Sequence, residues 1–132
     1  MQQRRFPSRF NFVAQAHEKG AAGAVVTDQV SADIADVPVR AIPLTRDFQP
    51  DVVAILAKAN AHSKLLFVCS PNNPTGNAFD PQRLRSLLAG FPGMVVVDEA
   101  YVDFAPEKST LPWLDEYPNL VVMQTFSKAW GL

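Results

Sequence analysis

Short apolar runs, each closed by polar or turn-forming residues, set the rhythm of this 132-residue chain. Lys64 to Cys69 (KLLFVC), Met94 to Val97 (MVVV) and Leu120 to Met123 (LVVM) are unbroken, which predicts strands covered on both faces. Ala24 to Thr27 (AVVT) is a briefer run of the same kind, and Val37 to Leu44 (VPVRAIPL) alternates as a strand does. Between these runs the spacing turns helical. Phe12 to Lys19 (FVAQAHEK) is stopped by Gly20, and Asp51 to Ala59 (DVVAILAKA) follows Pro50. Asp80 can cap a helix with Pro81 at its first position, running through Arg83, Leu84, Leu87 and Leu88 to Gly90. LPWLDEY, between the last two strands, predicts a short helical turn.

The resulting β-α-β-α-β order predicts an α/β fold, a three-layer, mostly parallel sheet flanked by helices. In open sheets of that kind ligands bind beyond the carboxyl ends of the strands. Three loops leave those ends. Ser70-Pro71-Asn72-Asn73-Pro74-Thr75-Gly76-Asn77 follows Cys69, Asp98-Glu99-Ala100-Tyr101 follows Val97, and Gln124-Thr125-Phe126-Ser127-Lys128 follows Met123. If the strands are parallel neighbours, an amide-rich turn, an acid with a nearby phenol and a hydroxyl-flanked lysine converge on one edge.

Composition narrows the field without naming a chemistry. With 48% hydrophobic and 19% charged residues the chain has the makings of one soluble globular domain. Its 12 basic and 13 acidic residues are interspersed, for a net charge of −1, so neither a nucleic acid nor a membrane is expected as partner. A small molecule is. The single cysteine, Cys69, cannot form an internal disulfide and sits in an apolar run, which points to a reduced, cytoplasmic setting. No apolar stretch approaches the roughly 20 residues that span a bilayer. Arg4, Arg5 and Arg9 read as a solvated basic end rather than a targeting peptide. His17 and His62 lack metal-ligand spacing, so no metal is expected.

The three loops fit an electron-sink pyridine aldehyde. A lysine amine can link to the aldehyde, a carboxylate can hold the ring nitrogen protonated, and donors and hydroxyls can meet the phenolate oxygen and a phosphate. The motifs themselves, SPNNPTGN, VVVDEAYVDF and TFSKAWGL, resemble the successive cofactor motifs of the fold-type I pyridoxal-phosphate-dependent aminotransferases. From about Val30 (VSADIADVPVRAIPL, then DFQPD and WLDEYPNL) the chain is similar to the histidinol-phosphate aminotransferase branch of that family.

The resemblance implies a role for each matching residue. Lys128 would be the lysine that binds the cofactor covalently and then moves the substrate's α-proton. Asp98 would pair with the pyridine nitrogen, Tyr101 and Asn73 would donate to the phenolate oxygen, and Thr125 and Ser127 would contact the phosphate. Lys128, Asp98 and Tyr101 would be catalytic. Glu99 points the other way on an extended backbone and is expected to be structural. The resemblance also implies pyridoxal 5'-phosphate as cofactor, amino-acid and oxo-acid substrates, and a homodimer. The expected activity is transfer of the amino group of histidinol phosphate to 2-oxoglutarate in histidine biosynthesis. Aromatic aminotransferases and a phosphothreonine decarboxylase carry similar loops.

Residues 30–132 are thus expected to form part of the family's large domain, and 1–29 match none of its motifs and stay unassigned. The phosphate-clamping arginine and the small domain that the family carries after its lysine have no counterpart here, so the piece by itself is expected to turn over little or no substrate and to expose sheet edges. A non-catalytic module, such as the effector-sensing part of a regulator, would need a DNA-binding segment that 1–29 does not suggest. A truncated reading frame without its own activity is the other alternative.

Overall fold

The computed structural model describes residues 24–26 and 38–131. The sheet has five strands, β1 (Ala24–Val26), β2 (Val39–Ala41), β3 (Leu65–Cys69), β4 (Met94–Asp98) and β5 (Leu120–Met123), in the order β2-β1-β3-β4-β5. All four pairings are parallel. Leu66 lies level with Val95, and Val95 with Leu120, so the last three strands present matching side chains to one face.

Two helices pack on that face. In α1 (Val52–Lys58) Asp51 caps the start by accepting from the Ala54 N–H at 2.9 Å, and Ile55 is the buried residue. In α2 (Pro81–Gly90) Asp80 accepts from the Gln82 N–H at 2.7 Å, Pro81 opens the first turn, and Leu84, Leu87 and Leu88 form the buried stripe. Each leucine so buried contributes about 1.5–3 kcal/mol. These residues close over Leu66, Val68, Val95, Val97 and Leu120 to make the core.

The opposite face is covered unevenly: Leu65 and Phe67 of β3 are half-buried, Val96 in the middle of β4 is buried, and Met94 at its start is exposed. Among the described residues both helices lie on the first face. β2 is also shorter than its alternating pattern, because Pro38 and Pro43 bracket it and proline has no N–H for the ladder.

β1 comes from the segment that carries no family motif, yet it pairs with β2 on one side and β3 on the other. The expected helix over Phe12–Lys19, Thr27 and Val37 lie outside the described residues. LPWLDEY folds into a 3-10 turn at Leu111–Trp113 followed by further turns. No helix among the described residues is long and apolar enough to cross a membrane.

Candidate functional site at the carboxyl edge of the sheet

Backbone hydrogen bonds carry the sheet one step past the strand ends. Ser70 N donates to Asp98 O at 3.0 Å, and Glu99 N donates to Met123 O at 2.7 Å. The loops after β3, β4 and β5 therefore leave the sheet level with one another, as parallel neighbours would require.

After β3 the chain makes a tight turn. Asn72 N donates to Asn77 O at 2.8 Å and Gly76 N to Asn72 O at 2.7 Å, and Gly76 supplies the left-handed conformation the turn needs, φ 74°. Asn77 Nδ2 donates to Phe48 O at 2.8 Å, which anchors the turn to the segment before α1. Asn73 is exposed on this turn. After β4, Asp98 is half-buried, and its Oδ1 accepts the Ala100 N–H at 3.0 Å, which turns the backbone toward Tyr101. After β5, the hydroxyls of Thr125 and Ser127 lie 2.8 Å apart, and Ser127 N donates to Thr125 Oγ1 at 3.2 Å.

The β4 and β5 loops meet directly. Lys128 Nζ stands 5.5 Å from the centroid of the Tyr101 ring, within the range at which a cation is attracted to an aromatic face. Tyr101 in turn lies 6.5 Å, centroid to centroid, from Phe104. The edge thus gathers an exposed amine, a carboxylate, a phenol and a pair of hydroxyls. That donor set suits a small anionic ring bearing a carbonyl, which the amine could capture and the carboxylate could hold by a ring nitrogen.

Glu99 is only 1% exposed and turned away from Asp98, as period-two alternation predicts. The sequence does not reveal its partners, Ser109, Thr110 and Gln124, which lie 10, 11 and 25 residues away. The available signal was an acid at the exit of an apolar strand with no basic residue near it in sequence. His62 is exposed, and its N–H is held by the Asn60 side chain. Cys69 is buried. An open cleft of about 480 Å³ between the starts of α1 and α2 contains none of the candidate residues.

Residues 29–132 match the family described as aminotransferase class I and II. The histidinol-phosphate aminotransferase of Cytophaga hutchinsonii is 56% identical over 104 residues, 79% of this chain and 30% of that protein. The enzyme of the same name from Flavobacterium johnsoniae is 53% identical over 103 residues, 78% of this chain and 30% of that protein. The chain therefore spans about 30% of the length of these relatives.

Among solved structures, the histidinol-phosphate aminotransferase of Sinorhizobium meliloti in complex with pyridoxal-5'-phosphate superposes with a TM-score of 0.73 at 24% identity, over 92% of this chain and 36% of that one. An aspartate aminotransferase variant of Thermus thermophilus gives 0.71 at 22% identity, over 85% and 32%. At such identities the structures speak for the fold alone. Fold and sequence agree, and the chain belongs to the class I and II aminotransferase family.

Proposed function

We propose that this chain is part of a pyridoxal-phosphate-dependent transaminase that exchanges an amino group between histidinol phosphate and 2-oxoglutarate in histidine biosynthesis. The observation that carries the proposal is the approach of Lys128 to Tyr101 across two loops that leave the sheet level with Asp98. Relatives of that name at 53–56% identity support the substrate.

In this proposal Lys128 Nζ binds the cofactor covalently, Asp98 pairs with its pyridine nitrogen, Tyr101 and Asn73 donate to its phenolate oxygen, and the Thr125 and Ser127 hydroxyls contact its phosphate. The chemistry of the donor set fits: each kind of group is present and each lies at the same sheet edge. Bound pyridoxal phosphate supplies an electron-withdrawing ring that stabilises negative charge at the substrate's α-carbon. Lys128 Nζ, once the substrate's amino group has displaced it from the cofactor as a neutral amine, would take the α-proton and return it, and the aromatic face of Tyr101 would attract it while it carries that proton. Asp98 is fixed by the Ala100 N–H on one oxygen, so its orientation is set before any ligand arrives.

Residues 30–132 are assigned to the large domain and 1–29 to a segment without family motifs. A homodimer is part of the proposal, supported by the exposed apolar side chains of Phe104, Phe126 and Trp130 around the edge. A buried, single Cys69 supports a reduced, cytoplasmic setting.

The test is an absorbance spectrum of the purified chain with pyridoxal phosphate, followed by borohydride reduction and peptide mapping. The expected outcome is a visible-edge band that maps to Lys128, disappears in Lys128→Ala and responds to histidinol phosphate. No band, or label spread over other lysines, overturns the site.

A further inference from the structure

Glu99 makes more of its neighbourhood than a buried acid of a strand end needs. Its Oε1 accepts from Thr110 N at 2.5 Å and from Thr110 Oγ1 at 2.8 Å. Its Oε2 accepts from Ser109 Oγ at 2.8 Å and from Gln124 Nε2 at 2.9 Å. Four donors fill the acceptor capacity of the carboxyl group, and all four are neutral. Its backbone is engaged as well: Glu99 N donates to Met123 O, and Glu99 O accepts from Val102 N at 3.0 Å, at the start of the 3-10 turn that follows Tyr101.

These bonds point in three directions. The carbonyl holds the turn beside Tyr101, Oε1 holds the returning segment at Thr110, and Oε2 reaches Gln124, the first residue past β5 and four before Lys128. The backbone ladder between β4 and β5 ends at the Glu99–Met123 bond. Beyond it, the Glu99–Gln124 bond is the next tie between the loop of Tyr101 and the loop of Lys128.

We propose that Glu99 is a positioning residue that sets the approach of Lys128 to Tyr101 by tying the β5 exit to the β4 loop through Gln124. The role rests on the proposed use of Lys128 and Tyr101, but the tie itself can be tested without the cofactor. In E99Q the amide nitrogen takes the place of one carboxylate oxygen, and because the Gln124 amide can turn over to accept from it, the tie can re-form with its direction reversed. E99Q combined with Q124E reverses the tie in the same way. Q124L removes only the tie and leaves Glu99 with Ser109 and Thr110, and because Gln124 is exposed the fold should tolerate it.

Two readouts on the full chain without pyridoxal phosphate decide. Amide hydrogen exchange compares Glu99 and Val102, whose N–H groups close the end of the β4–β5 ladder and the turn beside Tyr101, with the β4 core, Val95 to Val97, and NMR follows the ring-current shift that Tyr101 imposes on the Lys128 ε-methylene protons. In Q124L, exchange at Glu99 should rise about tenfold, the effect of losing one hydrogen bond. Exchange at Val95 to Val97 should hold, and the Lys128 ε-methylene shift should move toward that of a free lysine; E99Q and E99Q/Q124E should stay near wild type in both. The role is overturned if Q124L leaves Glu99 exchange and the Lys128 shift unchanged, or if exchange rises equally at Val95 to Val97, which would make Glu99 a general prop of the fold. A missing pyridoxal-phosphate band in the wild-type chain would overturn the proposed function and leave the exchange result standing. A band at Lys128 with no response to Q124L would overturn the positioning role alone.

Discussion

A Cβ added at Gly93 would sit 2.3 Å from Lys64 O and 2.7 Å from both Lys64 C and Ser63 O, all of them backbone atoms that cannot step aside. The crowding arises where the chain enters β4, beside the bond from Met94 N to Lys64 O at 2.9 Å. Gly93→Ala is therefore expected to cost about 1–3 kcal/mol in urea unfolding, the usual penalty of overpacking. Gly90 offers a contrast at the last position of α2. Its added Cβ would meet Leu56 Cδ1 at 2.8 Å, the far end of a flexible side chain. Ala also gains roughly 0.5–1 kcal/mol over Gly in a helix, so Gly90→Ala should stay within that margin of wild type. The sequence marks Gly90 as a helix end but does not show how the two glycines differ, because what separates them is a neighbour far along the chain. Asp98, Tyr101 and Lys128 were legible for the opposite reason. Each follows an apolar run by a few residues, so chain position alone puts it at a strand end, whereas Glu99 shows its partners only after folding.

The joint between α2 and the segment Leu111 to Tyr117 rests on Arg85. Its Nη1 donates to both oxygens of Glu116 at 2.7 Å and to Tyr117 Oη at 3.2 Å, and the guanidinium lies 4.2 Å from the Trp113 ring centroid. The bond from Arg85 holds the Glu116 carboxyl below its ordinary value of 4.5, and the same bond, with that of Tyr117, holds Arg85 charged. A carboxyl lowered by folding adds stability that is whole above its unfolded value and is lost as acid carries it through the lowered one. The melting-temperature difference between wild type and Glu116→Gln should accordingly be largest at neutral pH and close as the pH falls below about 4. Because the pair is solvated the difference should be small, and it should shrink in high salt. A difference that persisted unchanged at pH 3 would locate the effect in packing instead. Elements were legible wherever a period or a cap marked them: Pro50, Asp80 and Pro81 announced both helices, while Asp51 shows itself as a cap only in the structure. The 3-10 turns at Val102–Phe104 and Pro106–Lys108 have no period to show, and side-chain bonds to Glu99 close the segment that contains them.

At the scale of the whole sheet, β5 pairs with β4 alone among the described strands, so its outer side is a sheet edge among the described residues, with Leu120 N turned to Tyr117 O at 3.0 Å. Half-buried Val121 lies on the face opposite α1 and α2, level with Val96. Open edges invite pairing with another chain. Sedimentation should show the average mass rising with concentration, and Val121→Lys, a charge on an edge strand, should weaken that rise. A single monomeric mass at every concentration would show that the edge is protected. The sequence made a parallel sheet legible through its unbroken runs, but it placed the first family motif near Val30, beyond β1. β1 earns its place through backbone pairing, which needs no particular side chains, and it is the neighbour that joins β2 to β3. An expression clone trimmed to the recognisable motifs would therefore discard the strand in between, leaving β2 as a tether with nothing to hold. Any minimal version of this piece has to begin upstream of Ala24, before the first of the family motifs.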